Sequence, residues 1–211
     1  MELRHGLVFV EPCYYLRPIL ESTSTIIDCG LGCDANFSQA LISRFGVTAI
    51  GVDPTHRHRR PLEEFESRSA GHFVFMPFAI GAEAGRSVFL ESEANESGSL
   101  YNDHANIRRD PVVQYEVEVM TLRQVLGQAR DRRVDLLKLD VEGAEYGVLD
   151  ATPDDVIEAI PQIVIEFHHK VVDRWHHRDT KRLVRRLRAL GYLVHSRDLS
   201  NYLFFRPAPW R

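Results

Sequence analysis

The stretch Asp135-Leu-Leu-Lys-Leu-Asp-Val-Glu-Gly-Ala-Glu145 contains an apolar run that ends in three carboxylates and a glycine. Its leucines fall on both faces of an extended chain, as in a parallel strand that helices cover on each side. Asp140, Glu142 and Glu145 then follow the strand, where open α/β sheets bind their ligands. The start of a helix would also explain Glu142 and Glu145, because acids are favourable near the positive end of the helix dipole, with Gly143 in the turn. Because burying an unpartnered Asp140 would be costly, the pattern favours a strand that delivers acids to a site.

On both sides of this stretch, short β-rich runs alternate with helical patterns, which is typical of an α/β sheet with right-handed crossovers. The last two predicted strands form an antiparallel hairpin, and Gly191 suits a left-handed helix cap before them. Residues 1–24 are expected to be an N-terminal extension, and residues 25–211 a single domain. The pattern predicts strands over 25–28, 48–53, 72–80, 87–91, 115–120, 135–141, 162–168, 192–196 and 202–206, and helices over 36–45, 57–69, 121–129, 154–159 and 179–190.

Composition restricts the class of protein. The chain of 211 residues is 44% hydrophobic, which is enough for one good core. Its 26 basic and 30 acidic side chains give a net charge of -4, which argues against a generally nucleic-acid-binding surface. Cys13, Cys29 and Cys33 are odd in number and lack zinc spacing, and with no signal peptide before Glu11 they predict a cytoplasmic location. The apolar runs are too short to cross a membrane.

Two polar segments lie outside this pattern of buried elements. Residues 92–111 are rich in Ser, Asn, Asp and Gly, which predicts a lid or substrate loop, or a partly disordered segment. His104 lies in this segment, where an exposed surface position is expected. The run Lys181-Arg-Leu-Val-Arg-Arg-Leu-Arg188 resembles a nucleic-acid patch, but its apolar residues form one stripe. Its arginines are more simply the solvated face of a docked helix, so nucleic acid is not an expected partner.

The run Asp28-Cys-Gly-Leu-Gly-Cys-Asp-Ala-Asn36 follows a predicted strand and opens a predicted helix, which is the context in which a glycine pair binds ligands. Gly30 and Gly32 would let the backbone turn tightly, although a structural turn alone also explains them. A nicotinamide fingerprint would have a third glycine where Ala35 stands, and the acids of this run would repel its phosphates. Carboxylates fit a ligand that bears an ammonium group and ribose hydroxyls.

Asp53 ends the second predicted strand of the domain, 21 residues after Gly32. An acid at this place accepts hydrogen bonds from ribose hydroxyls in nucleotide-binding α/β folds. Asp53-Pro54 is also ordinary turn chemistry, and the two interpretations are compatible. Tyr14 and Tyr15 precede the first strand of the domain and could close over the ligand, although aromatic core packing explains them more simply.

These motifs together resemble the FkbM-type family of S-adenosylmethionine-dependent methyltransferases, over nearly the whole span 26–205. The run Lys138-Leu-Asp-Val-Glu-Gly-Ala-Glu145 is the most specific of them, and the glycine loop is the least. Cys33-Asp34 departs from the family, many members of which carry a further glycine shortly after the pair. The other family-like pieces are Gly51-Val-Asp-Pro54, Phe78-Ala-Ile-Gly81, Ser97-Gly-Ser99, Val119-Met-Thr-Leu122 and Ile165-Glu-Phe-His168.

The resemblance implies an α/β, Rossmann-like class I methyltransferase fold, with a mostly parallel sheet, helices on both faces and an antiparallel C-terminal hairpin. It also implies S-adenosylmethionine as the cofactor. The glycine loop would hold its methionine part, the acid after the second strand its ribose, and the residues at 79 and 80 its adenine, with Asp140 beside the sulfonium. The implied cofactor-binding residues are Asp28, Gly30, Leu31, Gly32, Asp53, Pro54, Ala79, Ile80 and Asp140.

Methyl transfer from a sulfonium is an in-line displacement, so a base is needed only when the nucleophile is a hydroxyl. The candidate bases are Glu142, on the acceptor side, Glu145 and His168, which ends a buried strand and can titrate near neutral pH. A hydrogen-bonded structural histidine explains His168 about equally well. Together with Asp140 and Glu166 these groups could ligate a divalent cation, but their spacing is not diagnostic, so a metal is not favoured.

The sequence therefore predicts an S-adenosylmethionine-dependent methyltransferase that acts on a hydroxyl of a small-molecule or sugar-like acceptor. We expect residues 92–111, or a second subunit in a homodimer, to cover that acceptor. N-methylation of a small molecule or a protein side chain remains open, as does a non-catalytic nucleotide-binding module of the same fold. The acids around the glycine loop disfavour a nicotinamide-dependent oxidoreductase.

Overall fold

The structure is a computed structural model that describes residues 6–11, 14–130 and 132–207, so Cys13 lies outside the described residues. Strands and helices alternate along most of the chain, as the sequence predicts. In chain order the elements are β1 (Val8–Val10), β2 (Tyr14–Leu16), β3 (Thr25–Cys29), α1 (Asn36–Phe45), β4 (Thr48–Val52), α2 (His56–Arg68), β5 (Phe73–Met76), β6 (Ala79–Ile80), β7 (Gly85–Ser92), β8 (Gly98–Ser99), α3 (Ala105–Arg109), β9 (Val112–Met120), α4 (Leu122–Gly127), β10 (Val134–Leu139), α5 (Glu145–Ala151), α6 (Asp154–Glu158), β11 (Gln162–Glu166), α7 (His177–Ala189), β12 (Leu193–Ser196) and β13 (Asn201–Phe205).

In the described part of the chain, the main sheet has seven strands in the order β12-β13-β11-β10-β3-β4-β5. The five strands from β11 to β5 are parallel, and β13 runs antiparallel to β11 and to β12. In the register, Cys29 is opposite Leu139 on one side and Val52 on the other. The carboxyl ends of β3, β4 and β10 are therefore level, which brings the residues that follow these strands together.

The core lies on both faces of this sheet because neighbouring strand residues point to opposite faces. Ile27 and Leu137 belong to a buried cluster with residues of α4, α5 and α7. Ile26 and Leu136 belong to a second cluster with residues of α1, α2 and the β1–β2 hairpin. This arrangement confirms the predicted α/β fold, with a mostly parallel sheet, helices on both faces and an antiparallel C-terminal hairpin.

The prediction of one strand over 72–80 is wrong. β5 ends at Met76, and after Pro77 the chain continues in β6, which pairs with β9 in a separate sheet of order β6-β9-β7-β8. Proline has no backbone N–H to give to the ladder, so the parallel pairing of β5 ends before it. β7 and β9 form a long antiparallel ribbon that covers the predicted strands 87–91 and 115–120.

Several elements were not predicted from the sequence. Residues 6–16 contain the two antiparallel strands β1 and β2. Residues 92–111 contain β8 and the short helix α3, and their backbone pairs with distant segments of the chain. Helix α5 starts at Glu145, so the acidic run is both the end of a strand and the start of a helix. Within the described ranges, no helix is long and apolar enough to span a membrane.

Candidate functional site

A cavity of about 360 Å³ opens at the carboxyl ends of β3, β4 and β10. This volume lies in the range of small-molecule and cofactor sites. Its walls contain several of the residues that the sequence predicts for the cofactor, together with residues 95–98 and Asn106, which belong to the segment 92–111 that was predicted as a lid or substrate loop. The lining residues are Gly30, Gly32, Val52, Asp53, Pro54, Thr55, His58, Phe78, Ala79, Ile80, Phe89, Asn95, Glu96, Ser97, Gly98, Leu100, Asn106, Asp140, Val141, Glu142 and Ala144.

The glycine loop joins β3 to its neighbours at the floor of the cavity. The Gly30 N–H donates to the carbonyl of Val52 at 2.9 Å, and the Asp140 N–H donates to the carbonyl of Cys29 at 3.0 Å. Gly30 has φ +86°, and a Cβ on it would lie 1.7 Å from the backbone oxygen of Asp140. This position therefore requires glycine for the backbone conformation and for the close approach of two strands. Gly32 has φ +62°, and a Cβ on it would make only an ordinary contact, at 3.6 Å from the Glu96 carboxylate.

Asp53 follows β4 and lines the cavity while it also fixes the glycine loop. Its carboxylate accepts from the Leu31 N–H at 2.9 Å and from the Thr55 N–H at 2.8 Å. Nδ1 of His58 lies 3.4 Å from the same carboxylate. Burial alone would raise the pKa of Asp53, but His58 and Thr55 lower it below its ordinary value. Asp53 is therefore held as an anion next to the cavity.

Lys138 is a buried cation between two acids, and the sequence reasoning missed its role. Its Nζ lies 3.3 Å from Asp28, 3.2 Å from Asp140, and donates to the carbonyl of Gly30 at 2.6 Å. Burial would lower the pKa of Lys138, but the two carboxylates raise it above its ordinary value. Burial raises the pKa of Asp28, against the opposing charge of Lys138. Lys138 stands two residues before Asp140 in a mostly apolar strand, but its role is recognisable only from its buried partners.

Asp140 is the member of this group that faces the cavity. The hydroxyl of Tyr14 donates to its Oδ2 at 2.6 Å, and Oδ1 lies 3.6 Å from Nε2 of His168. Burial would raise the pKa of Asp140, but Lys138, His168 and Tyr14 lower it. The Tyr14 hydroxyl also lies 3.3 Å from Glu166, where burial and Asp140 raise the pKa of the carboxyl to about 7. The N-terminal hairpin thus contributes a side chain to the site through the hydroxyl of Tyr14, whose ring packs on that of Phe37.

His168 lies among three carboxylates. Its Nδ1 is 2.6 Å from Oε1 of Glu145, and its Nε2 is 3.4 Å from Glu142 and 3.6 Å from Asp140. Burial would lower the pKa of His168, but these charges raise it well above its ordinary value. Glu145 is fully buried, and its Oε1 also accepts from the N–H groups of Val141 and Gly143. Glu145 therefore fixes the turn after β10 and holds the histidine ring.

Glu142 adopts a left-handed backbone conformation, with φ +51°. Few non-glycine residues adopt it, and it persists only where surrounding contacts determine it. The Ser99 hydroxyl donates to the carbonyl of Glu142 at 2.8 Å, and Nε2 of His104 lies 2.8 Å from its carboxylate. The expectation that His104 is exposed is wrong, because its side chain is only 1% exposed. It is buried because the 103–105 backbone pairs with the segment around Val172.

Residues 92–98 form a closed loop over the cavity. The Ser92 hydroxyl accepts from the N–H groups of Ala94 at 3.1 Å and Asn95 at 3.2 Å, and the Ser92 N–H donates to the Ser97 carbonyl at 2.9 Å. Arg57 of α2 donates to the carbonyls of Ser92 and Asn95 and forms an ion pair with Glu91 at 3.0 Å. The loop is therefore attached to the domain at several points while it lines the ligand space.

The residues present fit S-adenosylmethionine. The glycine loop leaves room for close backbone approach, Asp53 and Asp140 offer carboxylates, and Ala79 and Ile80 form an apolar wall. The buried Nε2 of His58 has no hydrogen-bond partner among the described residues, and His58 also lines the cavity. Among the residues that the structure describes, no group of three or more His, Cys, Asp and Glu side chains is arranged to hold a metal ion.

The fold of this chain and the position of its cavity are those of the class I, Rossmann-like methyltransferases. The chain belongs to the FkbM methyltransferase family, because the family model for the methyltransferase FkbM domain matches residues 5–194. This confirms the family that the sequence motifs predict. No curated protein matches the chain.

Solved structures share the fold at low sequence identity. The crystal structure of methyltransferase FkbM from Methylobacillus flagellatus KT has a TM-score of 0.58 and 15% identity, over 90% of this chain and 44% of that one. A Methanococcus jannaschii fibrillarin pre-rRNA processing protein has a TM-score of 0.51 and 10% identity, over 95% of this chain and 70% of that one. The chain thus spans less than half the length of its FkbM relative.

Proposed function

We propose that this protein is an S-adenosylmethionine-dependent methyltransferase that methylates a hydroxyl of a small-molecule or sugar-like acceptor. The observation that carries the proposal is one cavity lined by the glycine loop, by Asp53, by Ala79 and Ile80, and by Asp140. In this proposal the glycine loop holds the methionine part of the cofactor, Asp53 its ribose, and Ala79 and Ile80 its adenine, while Asp140 lies beside the ammonium of the methionine end and the sulfonium. The cofactor supplies an electrophilic methyl group on a positively charged sulfur.

Asp140 is the proposed contact for the cationic end of the cofactor. Its Oδ2 already accepts from Tyr14 and lies near Lys138, whereas the polar group of the described residues nearest to Oδ1 is Nε2 of His168, at 3.6 Å. The side chain retains 24% exposure, so a ligand ammonium group can reach it. Because Lys138 and Tyr14 keep Asp140 ionised, the carboxylate is available for a charge-assisted hydrogen bond.

Glu142 is the proposed base for the acceptor hydroxyl. Of the three candidates, Glu145 is fully buried and its Oε1 accepts from two backbone N–H groups and from His168. The three carboxylates around His168 raise its pKa and so favour the protonated ring, which has no free lone pair to accept a proton. Glu142 lines the cavity and is 27% exposed. The cofactor would supply the methyl group to the acceptor oxygen, and Glu142 would accept the proton that the hydroxyl loses.

The first test is a calorimetric titration of the protein with S-adenosylhomocysteine. Asp140→Asn removes the negative charge and keeps the side chain's shape. We expect it to raise the Kd by about 10- to 100-fold, because a hydrogen bond to a charged group contributes about 1.5 to 3 kcal/mol. Asp135→Asn is the matched control: it changes the same residue type near the other end of β10, beside Arg133, and should leave the Kd unchanged.

NAD serves as the ligand control in this titration. Tight binding of NAD without binding of S-adenosylhomocysteine would contradict the proposal and would favour a nicotinamide-dependent oxidoreductase. Where S-adenosylhomocysteine binds, methyl transfer to a panel of polyols, sugars and primary amines, followed by mass spectrometry, separates O- from N-methylation. Methylated amines without methylated hydroxyls would show that the acceptor atom is nitrogen.

A further inference from the structure

His104 holds a defined position next to the proposed base. Residue 104 forms an isolated antiparallel bridge with Val172, and the Ala105 N–H donates to the carbonyl of Val171 at 2.7 Å. These backbone contacts fix the start of α3 against the segment that follows β11. The imidazole is therefore buried beside Glu142, which lines the cavity, with its Nε2 at 2.8 Å from Oε2 of Glu142.

The hydrogen bonds of the imidazole determine its tautomer. The Asn106 N–H donates to Nδ1 of His104 at 3.2 Å, so Nδ1 must carry a lone pair and no proton. In the neutral ring the proton then lies on Nε2, the atom that contacts Glu142. His104 thus caps α3 with one nitrogen and donates to the carboxylate with the other.

The same segment surrounds the strained Glu142 on two sides. The Ser99 hydroxyl binds its carbonyl and His104 binds its carboxylate, while Asn106 lines the cavity and donates to the Ser97 hydroxyl at 2.8 Å. Nε2 of His168 lies 3.4 Å from the same carboxylate oxygen, Oε2. With the Glu142 carbonyl and Oε2 both held, the carboxylate has few alternative rotamers, which is what a base needs to meet an acceptor in a productive geometry.

We propose that His104 is a positioning residue for methyl transfer, which directs the carboxylate of Glu142 toward the acceptor through the Nε2–H hydrogen bond. This inference rests on the proposed function, since it assigns His104 a role in the reaction that Glu142 would assist. His104 acts through Glu142 and need not touch the acceptor itself.

Two substitutions separate this role from simple capping of the helix. His104→Gln places an amide N–H near the position of Nε2 and keeps a donor for Glu142, but it is a poor helix cap. His104→Asn keeps a good cap for the Asn106 N–H, but its shorter side chain does not reach Glu142. We expect kcat to fall about 10- to 100-fold in His104→Asn and less than about 5-fold in His104→Gln, with the KM for S-adenosylmethionine unchanged in both. If kcat falls more in His104→Gln than in His104→Asn, the role of His104 is only to cap the helix.

A double-mutant cycle locates the effect. In the Glu142→Gln background, His104→Asn should cause little further loss of kcat, because the group that it positions is gone. If the fold-losses of kcat from the two substitutions multiply in the double variant, the proposal is wrong. These rates are measured with an acceptor from the panel that the unmodified protein methylates. If it methylates none of them, that result counts against the proposed function, and the hydrogen bond between His104 and Glu142 is tested separately.

Nuclear magnetic resonance tests the hydrogen bond without an acceptor. In protein labelled with ¹⁵N-histidine and saturated with S-adenosylhomocysteine, His104 should give the spectrum of a neutral ring protonated at Nε2, and Glu142→Gln should shift that signal. A ring protonated at Nδ1, or a signal that Glu142→Gln leaves in place, would overturn the proposal even where methyl transfer occurs.

Discussion

Gly30→Ala should abolish cofactor binding and destabilise the protein more than any other single change proposed above. The added Cβ would lie 1.7 Å from the backbone oxygen of Asp140 and 2.8 Å from its carbonyl carbon. Because these are backbone atoms of the residue that follows the adjacent strand β10, relief requires the ends of β3 and β10 to move apart. We expect the free energy of unfolding to fall by more than about 4 kcal/mol, as measured by urea denaturation.

Gly32→Ala is the matched control for this prediction. Gly32 has φ +62°, but the nearest atom to its added Cβ would be the Glu96 carboxylate at 3.6 Å, an ordinary contact. The cost should therefore be the left-handed backbone alone, about 1 to 2 kcal/mol. Equal losses in the two variants would show that backbone conformation, and not the close approach to Asp140, sets the requirement for glycine at position 30.

Lys138→Met should have the second largest effect. The methionine fills a similar volume but leaves Asp28 and Asp140 without the cation that lies 3.3 and 3.2 Å from them. Removing one partner of a buried ion pair costs about 3 to 5 kcal/mol, because an uncompensated charge remains. We expect a lower Tm by calorimetry and loss of S-adenosylhomocysteine binding. Lys170→Met, which changes an exposed lysine, should leave both unchanged.

The pH dependence of the Lys138→Met variant identifies the cause. Without the cation, burial should raise the pKa of Asp28 further above the unfolded value of about 3.9, and Asp140 loses the largest of the charges that lower its pKa. The folded state then binds more protons than the unfolded state, so stability falls as pH rises through this range. The Tm difference from the unmodified protein should be small near pH 4 to 5 and large at pH 7 to 8. A difference that is constant with pH would indicate lost packing and not unpaired charge.

Much of the fold could be predicted because its strands carry strong local signals. β10 and β11 are apolar on both faces, and the carboxylates and glycines that follow β3, β4 and β10 mark one edge of the sheet. Parallel strands have their carboxyl ends at the same edge, so these residues had to be neighbours. The motif containing Asp140 was predicted correctly as a strand end for the same reason.

The parts that could not be predicted depend on contacts between distant segments. His104 is buried because its backbone pairs with residue 172, and no pattern within residues 92–111 reports that pairing. The hydroxyl of Tyr14 reaches Asp140 only after the N-terminal hairpin packs on β11 and β13. Lys138 was hidden because a charged residue in an apolar strand is informative only once its buried partners are known.

The place of β3 in the sheet has a consequence for synthesis of the chain. β3 lies between β4, which follows it closely in sequence, and β10, which the ribosome makes about a hundred residues later; the contact from Lys138 to Gly30 spans 108 positions. Until β10 arrives, one edge of a fully buried strand stays unpaired, and Asp28 has no cation beside it. Incomplete chains should therefore expose an unpaired strand edge that can pair with other chains, and should rely on chaperones. Translation that stalls before residue 134 should yield aggregates.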